Sequence, residues 1–155
     1  MRWMISGFLC ALVVLATVAP PVSPVSGRVV DSFRPPSCER CAGHRGITIA
    51  TEQGSQAVAV RPGLVTFSGE VAGLIYVVQE IRPGVRVTYG WLADKAVSAG
   101  QILGAGELLG HTGTRTYLGV RSGDNYVDPL SHLGFARARL VGHQYVIGGR
   151  SAHFR

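Results

Sequence analysis

Charge is scarce in this 155-residue chain: only 15% of its residues are Asp, Glu, Lys or Arg, and 46% are apolar. A solvated disordered chain needs the reverse balance and is excluded. Lysine is nearly absent, with Lys95 the only one beside fourteen arginines. Cysteine is limited to Cys10, Cys38 and Cys41, too few for a disulfide-built scaffold. Uninterrupted helical periodicity is missing as well, because 21 glycines and 8 prolines break the chain throughout. A helical bundle or coiled coil is thereby excluded, and short strands joined by tight turns are favoured. Beyond residue 19 no apolar run is long enough to span a bilayer, so a multi-span membrane protein is also excluded.

What is present begins with a targeting segment. Arg2 precedes seventeen uncharged residues, 3–19, and prolines at 20, 21 and 24 stop any helix there. This pattern reads as a secretory signal peptide, or as a membrane anchor if it is retained. Either way the remainder is exported. Cys10 lies within the apolar run and reads as a small hydrophobe. Residues 20–26 form a Pro/Ser linker, 27–134 the folded domain, and 135–155 a basic tail containing four arginines and no acid. Without Arg2 the chain carries +5, which favours long-range attraction to anionic envelope polymers. No aromatic-and-basic nucleic-acid motif accompanies that charge.

Between 27 and 134, runs at 28–30, 46–50, 57–60, 64–68, 74–80, 85–92 and 117–121 are short and rich in Val, Ile, Leu and Tyr. They predict strands of an antiparallel, sandwich-like all-β core. Pro62-Gly63, Pro83-Gly84 and Ser122-Gly123-Asp124 supply turns, and Asp128-Pro129 opens one helical turn. Asp124 and Asp128 are read as turn and cap residues. Gly104-Ala105-Gly106 has no following helix and is not a phosphate loop.

Five segments, in order, carry a resemblance. They are Gly43-His44-Arg45-Gly46-Ile47-Thr48-Ile49-Ala50; Gly54 with residues 57–65; Val87-Thr88-Tyr89-Gly90-Trp91-Leu92; residues 97–110; and Leu118-Gly119-Val120-Arg121 with Tyr126-Val127-Asp128-Pro129. Together they resemble the LytM/lysostaphin-type zinc metallopeptidases, which cut peptide cross-links of bacterial peptidoglycan. The resemblance implies that family's fold and places its zinc ligands at His44, at Thr48 where the family has Asp, and at Tyr117 where it has His. It places the two supporting histidines at Trp91 and Arg115. Zinc takes lone-pair donors at about 2.0–2.2 Å and leaves one position for water. Of the three ligands only His44 remains, so the resemblance implies a degenerate member with no cofactor expected. Its implied role is to bind peptidoglycan or regulate a cell-wall hydrolase. Trp91, Tyr117 and His111 are the candidate groove residues.

Two alternatives stay open at this point. Cys38, Cys41 and His44 have the spacing of zinc ligands, and an active endopeptidase with unorthodox ligands would draw on His44, His111 and a cysteine. A Cys38–Cys41 disulfide is the simpler reading of a lone pair in an oxidising compartment. The other alternative is an exported structural β-domain whose groove has no specific function. His132, His143 and His153 show no ligand spacing to one another.

Overall fold

The structure is a computed structural model that describes residues 20–38 and 40–135, together with the backbone of 145–147. Residues 1–19, where the signal peptide or anchor is expected, Glu39 and most of the basic tail lie outside the described residues. Ten strands follow in chain order: β1 Gly27–Asp31, β2 Gly46–Thr51, β3 Gln56–Val58, β4 Gly63–Val71, β5 Leu74–Arg82, β6 Val85–Leu92, β7 Ile102–Leu103, β8 Leu108–Ser122, β9 Asn125–Val127 and β10 Tyr145–Ile147. Among the described residues there is one helical turn, α1, at Pro129–His132. Every pairing is antiparallel, in the order β10-β1-β2-β8-β6-β5-β4-β7, with β3 and β9 also paired to β8. The antiparallel all-β class expected from the strand runs is the one observed.

Strand alternation explains which faces are buried. In β6, Val85, Val87 and Tyr89 point into the core while Arg86 faces out. Ile47 and Ile49 of β2 and Leu118 and Val120 of β8 line the same core. Between β5 and β6, Gly84 takes φ 75°, which L-residues rarely adopt, directly after Pro83. Asp128 caps α1 by accepting the Leu130 N–H at 3.0 Å, with Pro129 in the first turn.

A polar relay runs through this apolar interior. Tyr89 Oη accepts the Val60 N–H at 3.0 Å and donates to Gln79 Oε1 at 3.0 Å, and Gln79 Nε2 donates to the Arg61 carbonyl at 3.0 Å. Tyr89 and Gln79 are fully enclosed, and burial holds the Tyr89 phenol well above its ordinary pKa.

Two expectations change. β8 begins at Leu108, nine residues before the run at 117–121. Its glycines and threonines look like turn sequence, yet their backbone pairs with β3, β2 and β6. The tail is not only a loose basic extension: Tyr145–Ile147 pairs with β1 and extends the sheet. Aromatic and β-branched residues there favour a strand when an edge is available.

Candidate functional site

The site follows from register. Asp31, Thr48, Tyr117, Gly90 and Tyr76 stand opposite one another across β1, β2, β8, β6 and β5. Directly opposed residues share a face of a sheet, so this row forms one surface. Tyr117 lies across a strip of glycines. A Cβ at Gly46 or Gly119 would come within 2.7 Å of its side chain, and one at Gly90 would meet the Tyr76 ring at 2.5 Å. The missing side chains are what let the aromatic rings lie down.

Trp91 joins them through a bulge. The register slips on both sides of β6 between Gly90 and Leu92, and Trp91 adopts φ 61°. A bulge redirects the inserted side chain. The indole stands 5.5 Å from the Tyr117 ring, tilted by 43°, and its Nε1 donates to Tyr76 Oη at 3.1 Å. These separations lie in the favourable range for aromatic pairs.

His44 closes the other side. An isolated bridge to Arg34, with bonds of 3.0 and 2.8 Å, fixes its backbone. Its ring meets Tyr117 edge-on at 6.0 Å. Nδ1 lies 3.0 Å from the Ser32 carbonyl, an acceptor, so the proton is assigned to Nδ1. Nε2 is then a lone pair, and it accepts the Thr48 hydroxyl at 3.2 Å. Asp31 lies 3.6 Å from Nδ1. The hydrogen bond from Arg34 is the main cause holding the Asp31 carboxyl below the usual range.

The series Thr48–His44–Asp31 has the order hydroxyl, imidazole, carboxylate, but its geometry is not that of a nucleophile. Thr48 is only 4% exposed, and the Nδ1 proton goes to a backbone carbonyl while Asp31 is paired with Arg34. An activated hydroxyl must be reachable and its base oriented by the third group. Here the three residues brace the end of β1 against β2.

Nor do the donors fit zinc. His44 Nε2 is engaged by Thr48, whose hydroxyl brings no charge. Tyr117 would bind as phenolate, yet burial, followed by the nearby Tyr126 and Tyr76 phenols, pushes its pKa up to about 12 despite the opposing pull of Arg45. Arg115 is exposed opposite Ala50, two positions along β8 from Tyr117. His111 is held elsewhere. Its N–H donates to Asp94 Oδ1 at 2.9 Å and its Nδ1 lies 2.8 Å from Asp94 Oδ2, about 20 Å along β8 from Tyr117 by strand rise. Cys38 and Cys41 are joined in a disulfide. Among the described residues no three His, Cys, Asp or Glu side chains converge as a metal-binding group.

The register therefore brings together His44, Thr48, Trp91 and Tyr117 and leaves His111 apart. Sequence reasoning missed Tyr76, Asp31 and Ser32. Only Tyr76 had a signal, its place in an alternating strand, and using it required the β5–β6 register.

The Tyr117 environment has a measurable consequence. An unfolded tyrosine ionises near ~10, while folded Tyr117 holds its proton to about 12. The stabilisation it contributes is complete below the unfolded value and is lost as pH rises through the folded one. Denaturation midpoints should fall between those values, and Tyr117→Phe should flatten part of the decline, leaving the share due to Tyr89. An identical pH profile in wild type and Tyr117→Phe would contradict this environment.

The same architecture occurs in known proteins. A zinc-containing peptidase from Vibrio cholerae is 23% identical over 70% of this chain and 37% of its own, with a TM-score of 0.59. Lysostaphin is 19% identical over 71% of this chain and 51% of its own, with a TM-score of 0.60. A chain of the SpoIIQ–SpoIIIAH pore-forming complex is 16% identical over 74% of this chain and 91% of its own, with a TM-score of 0.64. At these identities the likeness shows the fold alone, and this chain spans about a third to a half of the first two. No curated protein sequence matches the chain. The sequence profile of Peptidase family M23 matches residues 42–135, which cover every strand from β2 to β9 as well as His44, Thr48, Trp91 and Tyr117, and the chain belongs to that family.

Proposed function

We propose that this protein is an exported M23-fold domain that binds peptidoglycan peptides without cleaving them. The observation that carries this reading is the replacement of a ligand set by an aromatic floor. Tyr117 and Tyr76 lie over glycines, Trp91 leans on Tyr117, and the remaining histidine spends its lone pair on Thr48. Flat rings suit stacking against peptide bonds or sugar faces. Export rests on the apolar segment 3–19, and the choice of ligand rests on the motif resemblance to a family that cuts peptidoglycan cross-links.

A second reading, docking onto a cell-wall hydrolase or another envelope protein, is favoured by one observation. The SpoIIQ–SpoIIIAH pore-forming complex contains a chain of this fold. The two readings separate in co-sedimentation with purified sacculi. Wild-type chain should sediment, and Trp91→Ala should weaken retention roughly tenfold, as expected for about 1–1.5 kcal/mol of lost stacking. Retention that ignores Trp91 would remove the groove from peptidoglycan binding. Absence of any retention would favour the protein-partner reading.

A further inference from the structure

Residues 32–45 link β1 to β2, and the Cys38–Cys41 disulfide sits near the tip of that loop. We infer that this disulfide is a thiol–disulfide exchange site, with Cys38 the sulfur attacked by a thiol carried on a polypeptide. No step of the argument requires the peptidoglycan-binding reading.

The two sulfurs differ in access. Cys38 is exposed, whereas Cys41 is half-buried. Cys38 also lines a cleft of about 1020 Å³, beside Pro35, Asn125 and Tyr126, with room for the residues that flank an incoming thiol. Exchange requires a thiolate to reach a disulfide sulfur, and exposed disulfides are the labile class.

The bond adds little to the fold. Its cysteines are three residues apart, and so short a loop removes little entropy from the unfolded chain. The backbone holds them together without it. The Cys41 N–H donates to the Cys38 carbonyl at 3.1 Å, a turn closed independently of the sulfurs. Below that turn, the bridge between Arg34 and His44 ties the two arms of the loop. Gly43 packs between them, where a Cβ would come within 2.8 Å of the Pro36 nitrogen. Breaking the S–S bond therefore leaves two neighbouring thiols on an intact frame.

The exchange balances in two steps. A thiolate of the partner attacks Cys38 Sγ, the S–S bond breaks, and Cys41 leaves as a thiolate that takes up a proton. A second partner thiolate then attacks the partner's own sulfur in the mixed disulfide, and Cys38 leaves and is protonated. Two electrons pass to the Cys38–Cys41 pair, and the partner's dithiol becomes a disulfide. A partner with one thiol stops at the mixed disulfide.

The test exposes the full-length chain in native buffer to dithiothreitol or to reduced glutathione. Samples are quenched in acid, alkylated and mapped by mass spectrometry, which scores Cys10 separately. Dithiothreitol should reduce the pair in the folded protein within about tenfold of its rate in denaturant. Glutathione should be found on Cys38 about tenfold more often than on Cys41, because access differs. The variant carrying both Cys38→Ser and Cys41→Ser should keep the wild-type His44 ring resonances and melt within about 5 °C of wild type. The inference is overturned if native reduction is slower than that margin, or if glutathione divides equally between the sulfurs. It is also overturned if the double variant unfolds or loses the His44 signals, since the bond would then be structural.

Discussion

Tyr89→Phe should lower the unfolding free energy by about 2–4 kcal/mol, a large part of the stability of a domain this size. The substitution removes one oxygen and leaves the ring in place, so little packing is lost. What it strands is the Val60 N–H and Gln79 Oε1, both in a region closed to water. Each orphaned buried group costs roughly 1–3 kcal/mol. Gln79→Leu should be costly for the same reason, freeing the Tyr89 hydroxyl and the Arg61 carbonyl. The double variant should be less destabilised than the sum of the two, because both break one relay. Denaturant titration of the four proteins measures this directly. A Tyr89→Phe loss below about 0.5 kcal/mol would mean that water reaches the relay.

The second large effect is a gain. Thr48→Asp combined with Tyr117→His should give a chain that holds about one zinc ion, where far less than one is expected in wild type. Positions 48 and 117 face each other in register, and His44 Nε2 already points at the side chain of residue 48. A carboxylate and an imidazole there would complete three ligands and leave a fourth position for water. Bound zinc should stabilise the double variant by about 2.7 kcal/mol at a free concentration one hundred times its Kd. Wild type should show no such shift. Turnover should require Trp91→His and Arg115→His as well, since neither indole nor guanidinium can take a proton from attacking water. A double variant that folds but ignores zinc would show that the β2–β8 frame has lost the geometry as well as the ligands.

Local patterns carried much of the fold. The alternation in 85–92, the Pro83-Gly84 turn and the Asp128-Pro129 cap are decided by neighbours in sequence, and the structure contains all three. Peptidase-family membership was legible because five motifs kept their order. Pairings between distant segments were not. Tyr145–Ile147 becomes a strand only because the β1 edge is open to it, and its arginine-rich surroundings drew attention to charge. Residues 108–116 carry glycine and threonine, whose local preferences say turn while hydrogen bonds to three other strands say sheet. The site divides in the same way. His44, Thr48, Trp91 and Tyr117 could be placed by motif. The lone-pair contact between His44 and Thr48, the aromatic partner Tyr76 and the separation of His111 depend on register, a bulge at Trp91 and the pull of Asp94. None of these is written in any one segment.

The central claim is that this M23 domain binds without metal chemistry, and the most direct measurement is zinc content per wild-type chain. It should be made on protein purified through the export route, with release of soluble peptides from sacculi followed on the same sample. Far less than one zinc per chain is expected, and no peptide release with or without chelator. One zinc per chain, removed by chelator together with hydrolysis, would contradict it.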